Sequence, residues 1–350
     1  MDERKKKGQG AVHNVHNHFE KNRYEKSIYD DDYEEVIAKT QVIDVFPKTI
    51  VNPVKSPDLS MAYSMNPYQG CEHGCAYCFA RPTHEYWGYS AGVDFERVIL
   101  AKRNAPQLLE QFFKKRGYIC EPILLSGNTD CYQPVERKLQ ITRQLLQTFL
   151  DFRHPVQILT KNALVTRDLD ILVPLAEKNL VSVAMSIPTI NEELRRVMEP
   201  RTSSAQNKLK AIETLTQNGI PVHIMIAPMI PGLNTMEILP IAKAISERGA
   251  STFGYTLVRL NDTVEPVFRE WVEEHYPDRA AKVLHQIESM HGGKLGEKEF
   301  FKRRSGEGNI AEMIHTTFRI ARQKYFEGKE IPPLATHLFD GTKGEQLRLF

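Results

Sequence analysis

The sequence predicts an α/β protein whose core is a partial (β/α)6 TIM-like barrel. Between about residues 58 and 262, short apolar runs alternate with amphipathic segments of about ten to fifteen residues. This alternation is typical of repeated β-α units that build a parallel sheet. Six such units can be counted, whereas a closed barrel of this kind has eight. We therefore expect a barrel with one open side, which would face a substrate.

Each unit has a recognisable strand and, in most cases, a recognisable helix. The predicted strands are residues 61–65, 122–126, 156–160, 181–187, 222–227 and 251–258. The predicted helices between them are about 106–115, 137–151, 166–178, 203–218 and 235–247. Several helix ends carry the expected capping chemistry, since Ser203 can cap a helix start, and Gly219 and Gly249 follow helix ends.

The segments outside the barrel have a different composition. Residues 1–57 are polar and charged at their start and are predicted to form an N-terminal arm. Residues 263–330 predict a helical C-terminal extension, with helices at 265–275, 279–291 and 309–326 that would cover an open edge or the barrel mouth. Pro332 and Pro333 end regular structure, so residues 331–350 are expected to be a loose tail.

Composition limits the class of protein. The 350-residue chain has a net charge of +2 and five cysteines, an odd number that does not suggest a disulfide framework. No signal peptide is recognisable at its start, and no apolar stretch reaches the roughly 18 residues of a membrane span. We expect a cytoplasmic protein that does not enter the membrane. Basic clusters at 5–7, 114–116 and 302–304 permit a nucleic-acid partner without requiring one.

Three cysteines within eight residues, Cys71, Cys75 and Cys78, are the strongest functional signal. Thiolates are the soft ligands that select iron-sulfur clusters, zinc or Cu(I), and the glycines at 70 and 74 let the loop fold around such a centre. Three protein ligands leave one metal position for an exchangeable molecule. Two alternatives remain open at this point: a zinc site completed by His73 or His84, and cysteines that are simply buried.

The spacing C-x3-C-x2-C, with Tyr77 before the last cysteine and Phe79 after it, resembles the signature of the radical S-adenosylmethionine (SAM) enzymes. The resemblance implies that the three cysteines hold three irons of a [4Fe-4S] cluster and that S-adenosyl-L-methionine chelates the fourth. It also implies a reductant such as flavodoxin or ferredoxin. Reductive cleavage of SAM then gives a 5'-deoxyadenosyl radical, which abstracts hydrogen from the substrate.

The other strand ends carry residues that this resemblance makes candidate cofactor contacts. Gly127, Asn128, Thr129 and Asp130 follow the second strand, where the family has a Gly-Gly-Glu-like turn that binds the methionine amino group. The match is partial, and Ser-Gly-Asn-Thr-Asp is also an ordinary turn sequence. Further candidates by position are Lys161 with Asn162, Ser186, Arg201, Pro231 and Gly232, although a structural Pro-Gly turn would explain the last two equally.

The segments 8–14, 291–294 and 301–306, together with the cysteine motif, resemble a bacterial radical SAM group related to spore photoproduct lyase. The resemblance covers nearly the whole chain and implies DNA-repair-like chemistry. In that lyase a cysteine after the second strand donates a hydrogen atom to the product radical. The equivalent position here falls on Gly127, with Cys131 four residues later. Cys131 is therefore a candidate catalytic hydrogen donor, with a packed turn cysteine as the alternative. Cys120 precedes a strand and is expected to be structural.

The chain ends in Gln346, Leu347, Arg348, Leu349 and Phe350, which resembles the pentapeptide that docks bacterial repair and replication proteins onto the sliding clamp. The alternative is that this end packs on its own barrel. The leading functional hypothesis is a radical SAM enzyme, a lyase or oxidoreductase, that acts on a macromolecule, most plausibly nucleic acid. The alternatives are radical modification of a protein or tRNA, and a zinc-stabilised nucleic-acid-binding module without catalysis.

Overall fold

The computed structural model describes residues 8–19 and 40–342, and two sheets form its centre. The strands are β1 (Gln41–Val45), β2 (Val51–Pro53), β3 (Tyr63–Met65), β4 (Tyr68–Gln69), β5 (Val98–Lys102), β6 (Ile123–Leu125), β7 (Val156–Thr160), β8 (Val181–Ser186), β9 (Val222–Met229) and β10 (Thr252–Leu257).

Helices connect the strands and extend beyond them. They are α1 (Val93–Arg97), α2 (Ala105–Phe113), α3 (Glu136–Leu139), α4 (Ile141–Asp151), α5 (Leu169–Ala176), α6 (Glu192–Met198), α7 (Ala205–Gln217), α8 (Ile238–Ser246), α9 (Val264–His275), α10 (Pro277–Met290), α11 (Lys302–Ser305) and α12 (Gly308–Tyr325). Within residues 8–19 and 40–342, 3-10 helices lie at Arg81–Trp87, Ala163–Asp168 and Thr235–Glu237.

The larger sheet is the predicted partial barrel. Its seven strands lie in the order β10-β9-β8-β7-β6-β3-β2, and all neighbours from β3 to β10 are parallel. All six predicted strands are confirmed. Within the described residues β10 and β2 do not pair with each other, so the sheet does not close. In β9, fully buried Val222, Ile224 and Ile226 alternate with half-buried residues, as expected for a strand between a helical layer and a barrel interior.

The smaller sheet was not predicted. It has three strands in the order β1-β5-β4, with β5 parallel to β1 and antiparallel to β4. The first four residues of β5 are buried, so this strand needs cover on both faces and pairing on both edges. Residues 41–53, which the sequence assigned to the arm, therefore contribute β1 and β2, and β2 pairs antiparallel with β3.

The helical extension forms as predicted and covers one end of the barrel. Helices α9 and α10 build a second core around fully buried Trp271, Phe268 and Ile287, and α12 packs on the barrel beside β10. The described part of the tail is not loose, in contrast to the expectation. The amide of Ala335 donates to the carbonyl of Asn179 at 2.8 Å, and that of Asp340 donates to Phe152 at 3.0 Å. None of the described helices is both long enough and apolar enough to span a bilayer.

His154 links this tail to the barrel core and makes the free energy of unfolding depend on pH. Its ring is fully buried, stacks 4.2 Å from Phe113, meets Phe339 of the tail edge-on, and lies with Nε2 2.9 Å from the Tyr118 hydroxyl. Burial lowers the pKa of His154 from about 6.5 to about 3. The unfolded chain therefore takes up a proton below pH 6.5 that the folded protein excludes.

We expect the free energy of unfolding to fall by about 1.4 kcal/mol per pH unit below pH 6.5 because of His154. The loss should continue until the pH approaches the folded pKa of about 3. Urea unfolding of the metal-free protein between pH 7.5 and 5 measures this slope. His154→Phe, which keeps an aromatic ring in the stack, should lower the slope by that amount; an unchanged slope would contradict the assignment.

Part of the N-terminal arm packs under the cysteine loop. The amides of Gly10 and Ala11 donate to the Glu96 carboxylate at 3.1 and 2.8 Å. A Cβ atom on Gly10 would lie 1.7 Å from the carbonyl oxygen of Gly74, so only glycine fits between the two segments. The described stretch 8–19 is therefore a structural part of the cysteine loop's surroundings, which the polar composition did not indicate.

Replacing Gly10 by alanine is expected to displace residues 8–19 from the cysteine loop, because the added methyl group overlaps the Gly74 carbonyl. Hydrogen exchange of the Ala11 amide should accelerate at least about tenfold once it loses Glu96. Gly254→Ala is the matched control, since Gly254 has no positive φ and its methyl group would meet only His223 and Met225, at 3.5 Å or more. Equal exchange in the Gly10→Ala variant and the wild type would refute this packing.

Candidate functional site

The cysteine loop follows β3 and the short strand β4, so it comes after the first barrel strand, as the barrel prediction requires. Cys71 and Cys75 are buried, Cys78 is half-buried, and all three are free thiols. Gly70 and Gly74 have φ values of +78° and +65°, and a Cβ atom on Gly70 would lie 2.4 Å from the Val98 carbonyl oxygen. These two glycines let the loop turn tightly against β5, which brings its cysteines to one place.

Arg81 holds the loop from beneath. Its fully buried guanidinium donates to the Cys75 carbonyl from Nε and Nη2 at 3.0 and 2.9 Å, and to the carbonyls of Ala91 and Gly92 from Nη1. Nη2 also pairs with Glu96 at 2.5 Å, and both side chains are 0% exposed. Because Glu96 accepts the Gly10 and Ala11 amides, one buried ion pair joins the loop, α1 and the N-terminal segment.

The three thiols lie close enough to affect one another's ionisation. Burial raises the pKa of Cys75 well above its usual value, and Glu199, Cys78 and Cys71 raise it further while Lys161 opposes them. Burial and Cys71 raise the pKa of Cys78 to about 11. Within the described residues no three cysteine, histidine or carboxylate side chains are already arranged as a metal site. The donor set is nevertheless three clustered soft thiols beside a lysine, which fits an iron-sulfur cluster better than a hard cation.

The two histidines of the zinc alternative have other environments. Burial lowers the pKa of His73, but Asp130 and Cys71 outweigh it and raise the pKa to about 10. Its Nδ1 lies 3.4 Å from the Asp130 carboxylate. His84 stacks on Tyr89 and meets Phe95 edge-on. The Nε2 atom of His73 lies 3.4 Å from Asn162 Nδ2. The His84 ring, packed between aromatic side chains, behaves as a core residue.

Asp130 connects the ends of three strands. One of its oxygens accepts the Tyr132 amide and the Thr160 hydroxyl, both at 2.8 Å, and the other accepts the Lys161 amide at 2.7 Å. Burial raises the pKa of Asp130, but His73 and these amides lower it overall, so the carboxylate is ionised. With His73 from the cysteine loop as a further partner, Asp130 ties the ends of β6 and β7 to the loop after β3.

Lys161 lies above a buried charge network. Its Nζ donates to Ser186 Oγ at 2.6 Å, lies 3.4 Å from Glu199 and stands 5.8 Å from the Tyr77 ring centre. Glu199 also accepts from Lys208 Nζ at 3.0 Å and from the Tyr77 hydroxyl. Two lysines thus face one carboxylate, which leaves a net positive charge close to the thiols.

Three of the remaining predicted site residues, Gly127, Asn128 and Thr129, lie in the turn after β6. The Asn128 amide donates to Asn66 Oδ1 at 2.8 Å, and Thr129 Oγ1 donates to the Tyr68 carbonyl at 2.6 Å. The Gly127 Cα lies tightly against Ser64, where a Cβ would approach the Ser64 Cβ to 3.1 Å. These three residues hold the turn after β6 against the loop after β3.

The side chains of the other candidates have contacts outside the thiol cluster. Arg201 Nε donates to the Gly8 carbonyl at 2.9 Å, so it secures the N-terminal segment. Pro231 and Gly232 form a turn against α10, where a Cβ on Gly232 would meet Gln286 and Val283. Phe79 is 54% exposed beside Arg259.

Cys131 is fully buried in the main core. Its amide donates to Ser126 Oγ at 2.7 Å and its carbonyl accepts the Thr142 hydroxyl at 2.6 Å. Burial raises the pKa of its thiol well above the usual value. These contacts favour the packed turn cysteine over the hydrogen donor, and a catalytic role for Cys131 stays a prediction.

A protein-family model matches the part of the chain that contains this site. The model of the Radical SAM superfamily matches residues 65–245, more than half of the chain and all strands from β4 to β9. The protein belongs to the radical SAM superfamily. Radical SAM enzymes use a [4Fe-4S] cluster and S-adenosylmethionine, so the chain is an enzyme, and the non-catalytic zinc module is wrong.

Relatives of this radical SAM protein span distant organisms. An uncharacterized protein of Mycobacterium tuberculosis (strain ATCC 25618 / H37Rv) is 31% identical over 245 residues, which cover 68% of this chain and 71% of the relative. An uncharacterized protein of Methanocaldococcus jannaschii is 30% identical over 241 residues, covering 69% and 86%. A solved structure of spore photoproduct lyase complexed with dinucleoside spore photoproduct superposes with a TM-score of 0.60 at 16% identity over 83% of this chain and 82% of that one. The last similarity shows a shared fold.

Sequence reasoning missed the buried charges that support the radical SAM site. Arg81 and Glu96 anchor the loop, and Glu199 and Lys208 lie beneath Lys161. One signal was available: Arg81 follows Cys78 by three residues, and a charged residue inside a buried metal loop needs a partner. Nothing in the sequence indicated that the partner would be Glu96.

Proposed function

We propose that this radical SAM enzyme acts on DNA and that Cys71, Cys75 and Cys78 are the ligands of its cluster. The observation that carries the substrate proposal is the shared fold with spore photoproduct lyase, a protein whose solved structure is complexed with dinucleoside spore photoproduct. The sheet of this chain does not close between β10 and β2, and the Arg303–Asp58 ion pair spans that gap. A target base extruded from a duplex would enter beside this ion pair.

The residues around the thiols suggest distinct roles toward the cofactor. When bound and reduced, the cluster with SAM supplies a 5'-deoxyadenosyl radical that abstracts hydrogen from the substrate. Lys161 is the best candidate to bind the cofactor carboxylate, because its ammonium group has three donors, of which one is used by Ser186 and one faces Glu199. Asp130 already accepts three hydrogen bonds, so its role is to position the strand ends and His73.

The cellular setting follows from the chemistry. Five free thiols and an iron-sulfur cluster suit a reducing compartment, so we retain the cytoplasm as the proposed location. Radical SAM enzymes need a reductant, for which flavodoxin or ferredoxin remains the proposal. The clamp-binding pentapeptide, 346–350, lies outside the described residues and stays a prediction.

The proposed function is tested by asking which macromolecule stimulates SAM cleavage. The protein, reconstituted anaerobically with iron and sulfide and reduced with dithionite, is given SAM together with DNA, tRNA or a protein extract. DNA should raise the rate of 5'-deoxyadenosine formation, while tRNA and protein should leave it near the basal rate. Stimulation by tRNA or protein alone would refute the DNA proposal and support the alternative substrates.

A further inference from the structure

Arg259, at the end of the last barrel strand, has a buried guanidinium nitrogen with no hydrogen-bond acceptor in the described part of the chain. Arg259 lies two residues beyond β10, at the carboxyl end of the last barrel strand. Its Nη1 is buried without a hydrogen bond to any described residue. A buried guanidinium donor without an acceptor is costly unless a ligand completes it.

The charges around Arg259 do not neutralise it. Arg303 forms an ion pair with the Asp58 carboxylate. Its Nε donates to one oxygen at 2.7 Å, and its Nη2 donates to the other. Arg304 donates to the Asp58 backbone carbonyl at 3.0 Å. Burial lowers the pKa of Arg259, and Arg303 and Arg304 lower it further, while Asp58 opposes them. Three arginines thus lie around one carboxylate, which pairs with Arg303 alone of the three, and such an excess of positive charge attracts an anion.

The neighbouring basic residue Lys302 does not add to this charge. Its Nζ lies 3.2 Å from Glu299 and 3.5 Å from Glu307, so acidic side chains already offset it. The excess positive charge therefore comes from the three arginines and not from Lys302.

Exposed phenyl rings border these arginines. Phe79, directly after the last cysteine, is 54% exposed, and its ring centre lies 5.7 Å from Arg259 Cζ. Phe301 is 66% exposed and has a φ of +69°, a conformation that costs a residue other than glycine about 1–3 kcal/mol. Phe300 packs 4.8 Å from Arg303 Cζ. Exposed rings beside arginines are typical of surfaces that bind single-stranded nucleic acid.

We propose that Arg259 binds a backbone phosphate of single-stranded DNA and that the exposed ring of Phe79 stacks on an adjacent base. The surface consists of Phe79, Arg259, Phe301 and Arg304, and it joins the loop after the first barrel strand to the end of the last one. It would hold the unpaired strand across the end of β10, with the target base directed toward the cysteine loop. This inference rests on the proposed function and adds the residues that recognise the DNA.

DNA explains the surface better than a phosphorylated peptide does. A phosphopeptide would need the arginines alone, whereas the phenyl rings of Phe79 and Phe301 offer stacking faces that every base can use. The strained backbone of Phe301 is consistent with a ring held outward for contact.

Fluorescence anisotropy with a labelled oligothymidylate tests the inference on the anaerobically reconstituted enzyme. Arg259→Gln should weaken binding about tenfold and lower the slope of log affinity against log salt by about 0.7, the value for one phosphate on a single strand. Phe79→Leu should weaken binding about tenfold with an unchanged salt slope. Lys210→Gln, which removes one charge from an exposed position on α7, is the matched control and should change neither quantity by much. Iron content and thermal unfolding confirm that each variant carries its cluster and is folded. Arg304→Gln provides a second variant that removes a positive charge from the surface.

The outcomes separate this inference from the proposed function. Tight oligothymidylate binding that neither Arg259→Gln nor Arg304→Gln weakens would overturn the inference and leave a DNA substrate in place. A wild-type enzyme that binds no oligothymidylate would overturn the inference, whereas the DNA substrate itself is tested by the stimulation of SAM cleavage. Displacement of the oligonucleotide by a phosphopeptide at equal concentration would also overturn it, because the surface would then recognise phosphate on a peptide.

Discussion

Replacing Cys75 by alanine is expected to remove the iron-sulfur cluster and abolish 5'-deoxyadenosine formation. Cys75 is one of three clustered thiols in a loop that has no fourth cysteine, so the loss of one ligand leaves too few to hold the cluster. The wild type should bind about four iron atoms per chain after anaerobic reconstitution, and the variant close to none. Iron analysis and visible absorption measure the cluster, and chromatography measures the nucleoside.

Cys120→Ala is the matched control for this prediction. Cys120 lies before β6, away from the loop, and is half-buried. The control variant should keep its iron and its turnover. Retention of a full cluster by Cys75→Ala, or its loss in Cys120→Ala, would contradict the ligand assignment.

Replacing Arg81 by methionine is expected to destabilise the protein by about 3–5 kcal/mol, because Glu96 is left as an unpaired buried charge. The substitution also removes the hydrogen bonds to the Cys75 carbonyl, so the loop should lose its fixed conformation. Urea unfolding of the metal-free protein gives the stability, and the yield of cluster reconstitution reports the loop.

Two comparisons make the Arg81 prediction specific. Adding Glu96→Gln to Arg81→Met should recover part of the stability, since the unpaired charge is then absent. Lys114→Met breaks an exposed pair with Glu110 on α2 and should cost no more than about 0.5 kcal/mol. If Arg81→Met lost as little stability as Lys114→Met, the assignment of the Arg81–Glu96 ion pair as a stabilising contact would be wrong.

The sequence predicted the barrel well because the signal for its strands is local. Runs such as 181–187 and 222–227 are apolar, short and bounded by helices, and each became a parallel strand. The smaller sheet was missed because its pairing is not local: β1 and β5 lie more than fifty residues apart, and β4 has only two residues. The order of the tail also depends on a distant contact, between Phe339 and His154.

For the site, the sequence predicted the ligand types and some strand-end residues but not their partners. The cysteine spacing is a local pattern, and the positions of Asp130, Lys161 and Ser186 followed from the barrel rule. Arg201 and Gly232 met that rule in sequence yet contact Gly8 and α10. Arg201 comes after α6, fifteen residues beyond β8, and Gly232 lies in a turn three residues beyond β9 that packs on α10. Buried pairs such as Arg81 with Glu96 have no sequence signature, since burial is decided by the whole fold.

The most direct test of the central claim is the transfer of deuterium from DNA to the cofactor product. The reduced enzyme is incubated with SAM and with DNA fully deuterated in its nucleosides, and the 5'-deoxyadenosine is analysed by mass spectrometry. A radical SAM enzyme that acts on DNA should yield 5'-deoxyadenosine enriched in deuterium, and none should be enriched with the Cys75→Ala variant. Formation of 5'-deoxyadenosine without deuterium, at the same rate with and without DNA, would contradict the account.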